Sequence, residues 1–136
     1  MVRFMTGILL VTTLMISAAS CRDRSLAGTS WRLTAWSENL KVPSEFPVTA
    51  KFTETEISGR SAVNTYGGKY SAASDGKFSV GPIAMTEMAG PEPAMRTERT
   101  FHDLMAKVKR YRIEQDGRLL LLDANGKELL VFRPDR

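Results

Sequence analysis

Arg110-Tyr111-Arg112-Ile113-Glu114-Gln115-Asp116-Gly117-Arg118-Leu119-Leu120-Leu121-Leu122-Asp123-Ala124-Asn125-Gly126-Lys127-Glu128-Leu129-Leu130-Val131-Phe132 decides the fold. Asp116-Gly117 separates residues 111–114 from 118–122, and Asn125-Gly126 separates that segment from 128–132. Asp-Gly and Asn-Gly supply the positive φ angles that tight hairpin connections demand. The stretch therefore reads as consecutive antiparallel hairpins. Asp75-Gly76 repeats the signal between residues 69–73 and 77–80. Further upstream, Trp31, Leu33 and Ala35 alternate with Arg32, Thr34 and Trp36, while Val48, Ala50 and Phe52 alternate with Thr49, Lys51 and Thr53. A period of two is that of a half-buried strand, and it predicts Trp31 inside, in phase with Leu33 and Ala35. Pro43 and Pro47 bracket the loop between these segments.

One stretch has a different period. Within residues 93–108, Met95, Phe101, Leu104, Met105 and Val108 recur at helical spacing, with Arg96, Glu98, Arg99, Asp103 and Lys107 between them. Pro93 suits a first helical turn, and Glu92 suits the positive end of a helix dipole. The expected class is α+β: mainly antiparallel β, a strongly curved sheet or partly open barrel, with one amphipathic helix whose apolar stripe covers the sheet.

The N-terminus reads as an export signal. Arg3 is the positive n-region, residues 5–16 form an apolar run broken by Thr6, Gly7, Thr12 and Thr13, and small residues lead to Cys21, the chain's one cysteine. That run is shorter than the about 20 apolar residues a spanning helix needs, so cleavage is expected rather than spanning. A cysteine after small residues at this border resembles a bacterial lipobox, although Ala18 stands where a lipobox usually has Leu, and Ala18 with Ser20 also satisfies the small-x-small rule of a plainly secreted protein. In an oxidising compartment an odd thiol invites intermolecular pairing, and thioether lipidation consumes it. The expected organisation is a signal peptide over residues 1–20, a short lipidated tether over 21–25 starting at Cys21, and one domain over 26–136. Arg22 lacks the aspartate that retains sorted lipoproteins at the inner membrane, and Asp23 is one place too late. The expected location is thus the outer membrane, facing the periplasm. Lys and Arg number 19 against 15 acids, a net charge of +4. That mild excess bears on solubility and does not specify an anionic partner.

The middle of the chain carries a recognisable order of motifs. Gly59-Arg60-Ser61-Ala62-Val63-Asn64-Thr65-Tyr66-Gly67-Gly68-Lys69-Tyr70 resembles the glycine-cysteine-asparagine-x-tyrosine-x-glycine-x-tyrosine segment of the META domain, the HslJ-like family. Ile83-Ala84-Met85-Thr86-Glu87-Met88-Ala89-Gly90 resembles its second motif, threonine-x-methionine-alanine-cysteine. Met95-Arg96-Thr97-Glu98 with Phe101 and Leu104 is similar to the family's helix, Thr29-Ser30-Trp31-Arg32-Leu33 to its opening strand, and Leu129-Leu130-Val131-Phe132 to its closing one. Many members carry a cysteine in each of the two motifs; here those places hold Val63 and Gly90. Their joint absence suits a pair that is bonded or adjacent where it exists, and leaves no redox role at these positions.

The resemblance implies a non-enzymatic envelope factor associated with stress tolerance; the expected mechanism is the binding of a protein, peptide or lipid in or on the curved sheet. Asn64, Tyr66 and Tyr70 are the candidates for the rim of such a site. The residues also have plainer explanations. Asn64 tolerates turn conformations, Gly67 and Gly68 permit a bulge or close approach, and tyrosines four apart on a strand share a face. A deep apolar groove would favour binding, and a filled core would favour a structural envelope protein without a specific ligand. A third reading, inhibition of a periplasmic hydrolase, needs an exposed rigid loop, for which residues 87–93 are the candidate.

Other chemistry is sparse. His102, the chain's one histidine, is expected to be a solvated helix residue, and no second histidine accompanies it to build a zinc or haem site. No nucleophile elbow, phosphate loop or dinucleotide fingerprint occurs. Pairs such as Glu54 and Glu56, or Glu92 and Glu98, are expected by chance among 15 acids. Lys107, Lys109, Arg110 and Arg112, with Tyr111 among them, are the densest basic cluster: either the solvated end of a helix or a contact for anionic lipid or a polyanion. The expectation is a monomer with no metal, no cofactor and no nucleic-acid partner, the last on grounds of compartment.

Overall fold

The computed structural model describes residues 25–37 and 41–136. The expected signal peptide, most of the tether and Cys21 lie outside the described residues. Among the described residues, nine strands and one helix follow in order: β1 (Thr29–Trp36), β2 (Thr49–Phe52), β3 (Glu56–Ser61), β4 (Asn64–Ala72), β5 (Phe78–Val80), β6 (Ala84–Met85), α1 (Glu92–Met105), β7 (Arg110–Ile113), β8 (Leu119–Leu122) and β9 (Glu128–Pro134). All pairings are antiparallel, in the order β5-β4-β3-β2-β1-β9-β8-β7, with β6 beside β5 on the same edge of β4. The two ends of this path meet. Lys77 bridges Arg110, the Phe78 N–H donates to the Lys109 carbonyl at 2.9 Å, and the Tyr111 N–H donates to the Gly76 carbonyl at 2.9 Å. The sheet is thus nearly closed into a barrel, as the turn pattern and the helix stripe together predict, with α1 packed against β3 and β9.

The hairpin turns form where the dipeptides stand, by a different device from a two-residue turn. Only the glycines take positive φ: Gly76 at 89°, Gly117 at 88° and Gly126 at 85°. Ala73 and Lys77 close one loop, and Glu114 and Arg118 another, so three residues intervene and glycine supplies the left-handed step after the turn. The preceding aspartates cap the turns, Asp75 accepting from the Lys77 N–H and Asp116 from the Arg118 N–H.

The interior is filled. Phe52, Ile57, Phe101, Leu119, Leu121, Leu130 and Phe132 are all fully buried, and Trp31 and Leu33 join them. The expected inward phase of Ala35 fails: the β1–β9 register shifts between Leu33 and Ala35, leaving Ala35 exposed and Trp36 partly buried. A bulge inserts one residue and reverses the phase beyond it. The helix also ends earlier than its apolar stripe. It stops at Met105, and residues 106–108 lead to β7 with Val108 still buried.

A buried carboxylate knot and a groove at the barrel seam

Between β3 and β4 the chain reverses over two residues, with Ser61 paired to Asn64 across the turn. Ala62 sits at φ 79°, a backbone region that costs a residue with a Cβ. The surroundings over-determine it. Glu98 of α1 reaches into the turn although it is a charged residue, and it is only 3% exposed. Its Oε1 accepts from Ser61 Oγ at 2.9 Å and from the Asn64 N–H at 2.8 Å, and its Oε2 accepts from Asn64 Nδ2 at 2.8 Å. Burial pushes the Glu98 carboxyl up, but the hydrogen bonds from Asn64 and Ser61 outweigh it and hold the group below its ordinary value. The expectation of Glu98 as a charge between the apolar positions of the helix is therefore corrected: it lies on the covered face, with Ala94 and Phe101.

Asn64 uses its whole amide. Its Oδ1 accepts from Thr86 Oγ1 at 2.8 Å and from the Met88 N–H at 2.7 Å, and Nδ2 also donates to the Met88 carbonyl at 3.1 Å. It thus fastens the segment after β6 to the barrel wall. Two residues further on, a Cβ built at Gly90 would stand 2.6 Å from Val63 Cγ2 and 3.5 Å from Val63 Cβ. The two positions where the resemblance places cysteines are adjacent, as it implied. Valine fills the space, and glycine at 90 makes room for it.

The groove lies at the seam. It has a volume of about 540 Å³. Val80, Ile83 and Met85 line it from the β5–β6 side, and His102, Met105 and Val108 from the helix side, with Lys109 also on the lining. Met85 is 41% exposed. The expectation of a solvated His102 is corrected. Its ring stands edge-on to Tyr66 at 5.6 Å and near Phe101 at 5.2 Å. Its Nε2 is buried without a hydrogen-bond partner. Burial lowers its affinity for a proton, against the opposing pull of Glu98 and Asp103, so the imidazole is favoured neutral.

The expected rim residues are not brought together, which corrects their placement. Asn64 is 2% exposed, at the knot. Tyr66 is 4% exposed, packed against Phe101 behind the groove, its hydroxyl donating to the Thr49 carbonyl at 2.7 Å; burial raises its pKa. Tyr70 is half-buried, stacked on Phe78 at 5.9 Å and donating to the Thr53 carbonyl at 2.6 Å. It lines a separate hollow with Leu26, Glu54 and Tyr111. The groove residues carried one sequence signal, Met85 of the second motif; it stands exposed, as does Met88, the motif's other methionine, off the lining. Glu92 pairs with Arg99 at 2.8 Å on the surface, apart from buried Glu98. Among the described residues no group of three or more His, Cys, Asp or Glu side chains could hold a metal ion, and no helix is long and apolar enough to cross a membrane.

Comparison with known proteins agrees with this geometry. The family model for the META domain matches residues 24–136. An NMR structure of a protein from Burkholderia xenovorans is 27% identical, covering 81% of this chain and 83% of that one, with a TM-score of 0.67. A second NMR structure is 21% identical over 79% of this chain and 90% of that one, with a TM-score of 0.59. A crystal structure of a DUF4847 family protein from Bacteroides vulgatus is 14% identical over 79% of this chain and 93% of that one, with a TM-score of 0.56. These last two likenesses concern the fold alone. No curated protein matches the chain.

Proposed function

We propose that this chain, which belongs to the META domain family, is a lipid-anchored, periplasm-facing protein of the outer membrane that works by binding a partner at the seam groove, without catalysis. The observation that carries the reading is the contrast between a filled barrel interior and an open groove of mixed character, in which Val80, Ile83 and exposed Met85 stand beside His102 and Lys109. A ligand has no room inside the barrel and has room beside α1. Exposed apolar surface at a concave site is a usual mark of interaction. The anchor rests on the export pattern of residues 1–20 and on Cys21. A second reading, a structural envelope protein with no specific ligand, draws support from the same filled core.

Two variants separate these elements. Cys21→Ser removes the acylated sulfur, so the protein moves from the detergent-requiring membrane fraction to the soluble periplasmic one. A variant that stays with membranes contradicts the anchor. Ala106→Trp places an indole in the groove from an exposed position just past α1. Partner capture is lost while the melting temperature is kept; capture that survives returns the protein to the structural reading.

A further inference from the structure

The seam is open for a definable reason, and its edge carries unpaired main chain. Lys77, Ser79 and Gly81 direct their backbone groups at β4, as the bonds Ala73 N–H to Lys77 carbonyl and Gly81 N–H to Lys69 carbonyl show. Alternation turns Phe78 and Val80 the other way. Phe78 finds Lys109 there. Opposite Val80 the chain has already turned away into residues 106–108 and α1, so nothing continues the ladder. On β6 the Thr86 N–H donates to the Thr65 carbonyl, which turns the backbone of Met85 outward in the same way. Among the described residues no hydrogen bond reaches the outward groups of Val80 or Met85.

Val80 pairs with Tyr70 and Met85 with Tyr66 on the same edge of β4. The two open sites are thus four residues apart in register, about 13 Å at roughly 3.3 Å per residue. Four is even, so one extended strand presents the same edge to both. Resting on the binding reading above, we propose that the groove takes an extended peptide segment of a partner protein by strand addition along Val80 and Met85. The segment is apolar at the residues turned into the groove and acidic where it passes Lys109. The main-chain groups call for a partner with a backbone, which a lipid chain lacks. Lys109 is the cation on the lining, and Lys107 and Arg110 flank it in sequence.

The test immobilises the full chain and selects from a display library of random linear peptides. Enriched sequences alternate apolar residues and carry an acid. Synthetic versions bind, and N-methylation of one alternate set of their amides abolishes binding while methylation of the other set is harmless. Val80→Pro removes an outward N–H that the fold does not use, and weakens these peptides roughly two- to tenfold, one hydrogen bond's worth. Lys109→Glu removes the preference for acid and reverses the salt dependence. The proposal is overturned if no peptide is enriched, if both methylated sets bind equally, or if binding survives Ala106→Trp. It is also overturned if phosphatidylglycerol vesicles occupy the groove and linear peptides do not. Should Ala106→Trp abolish capture of a folded partner while no linear peptide binds, the groove remains a binding site and strand addition fails.

Discussion

Replacing Glu98 with alanine tests how far one buried carboxylate holds the barrel's irregular parts together. The substitution leaves Ser61 Oγ, the Asn64 N–H and Asn64 Nδ2 without their acceptor. A buried donor stripped of its partner costs about 1–3 kcal/mol. Ser61 Oγ keeps the Asn64 carbonyl at 3.2 Å and Asn64 Nδ2 keeps the Met88 carbonyl at 3.1 Å, so the Asn64 N–H alone of the three is left without any acceptor. A loss of about 2–4 kcal/mol follows, one fully orphaned donor and two weakened ones, in the upper part of the range for single substitutions, against a total stability of about 5–15 kcal/mol. Glu98→Gln preserves shape and one acceptor oxygen but turns an amide donor towards Asn64 Nδ2, so it costs less than alanine. Acid supplies the linked test. The folded-state pKa is depressed, so the carboxylate's contribution is complete above the unfolded value of about 4.5 and is lost as pH falls through the lower folded value. Chemical denaturation from neutral pH down through this window reads both effects. A Glu98→Ala variant that unfolds within about 1 kcal/mol of the parent, or a Glu98→Gln variant that keeps the parent's full acid-side slope, would show that this carboxylate does not hold the turn.

Other outcomes follow from the same geometry. The pair Val63→Cys and Gly90→Cys should bridge on oxidation, because the 3.5 Å Cβ separation falls within disulfide geometry. The bridge should add about 3 kcal/mol, read as a melting temperature that drops on reduction; free thiols after oxidation would show that the two positions do not meet. Tyr66→Phe should cost about 1 kcal/mol for the orphaned Thr49 carbonyl, and Tyr66→Ala about 3–5 kcal/mol for the cavity beside Phe101. An alanine variant that melts with the parent would put Tyr66 back on a binding surface.

Much of this architecture is legible where one residue type has one physical use. Gly76, Gly117 and Gly126 mark three reversals because the left-handed step favours glycine, and Trp31 with Leu33 shows its buried face by period alone. The β3–β4 reversal is illegible because Ala62 and Val63 carry no turn chemistry; Glu98, distant in sequence, imposes the conformation. Glu98 itself offers a signal that is easy to discount: it falls on the same helical face as Ala94 and Phe101, and a charge there reads as noise until its donors are known. Apart from Met85, the groove has no local signature. It exists because α1 ends at Met105, ahead of its apolar stripe, so that β7 parts from β5 beyond Lys109. Tyr66 and Tyr70 share a strand face, but the groove runs past only one end of it.

The claim of a binding seam is tested most directly by a photo-crosslinking amino acid placed in the living envelope, at Met85 in the groove and at exposed Thr34 of β1 on the far wall. Position 85 should give a discrete crosslinked product that disappears when Ala106→Trp is added, and position 34 none. Identical products from both positions, or a product from position 85 that the indole leaves untouched, would contradict that claim.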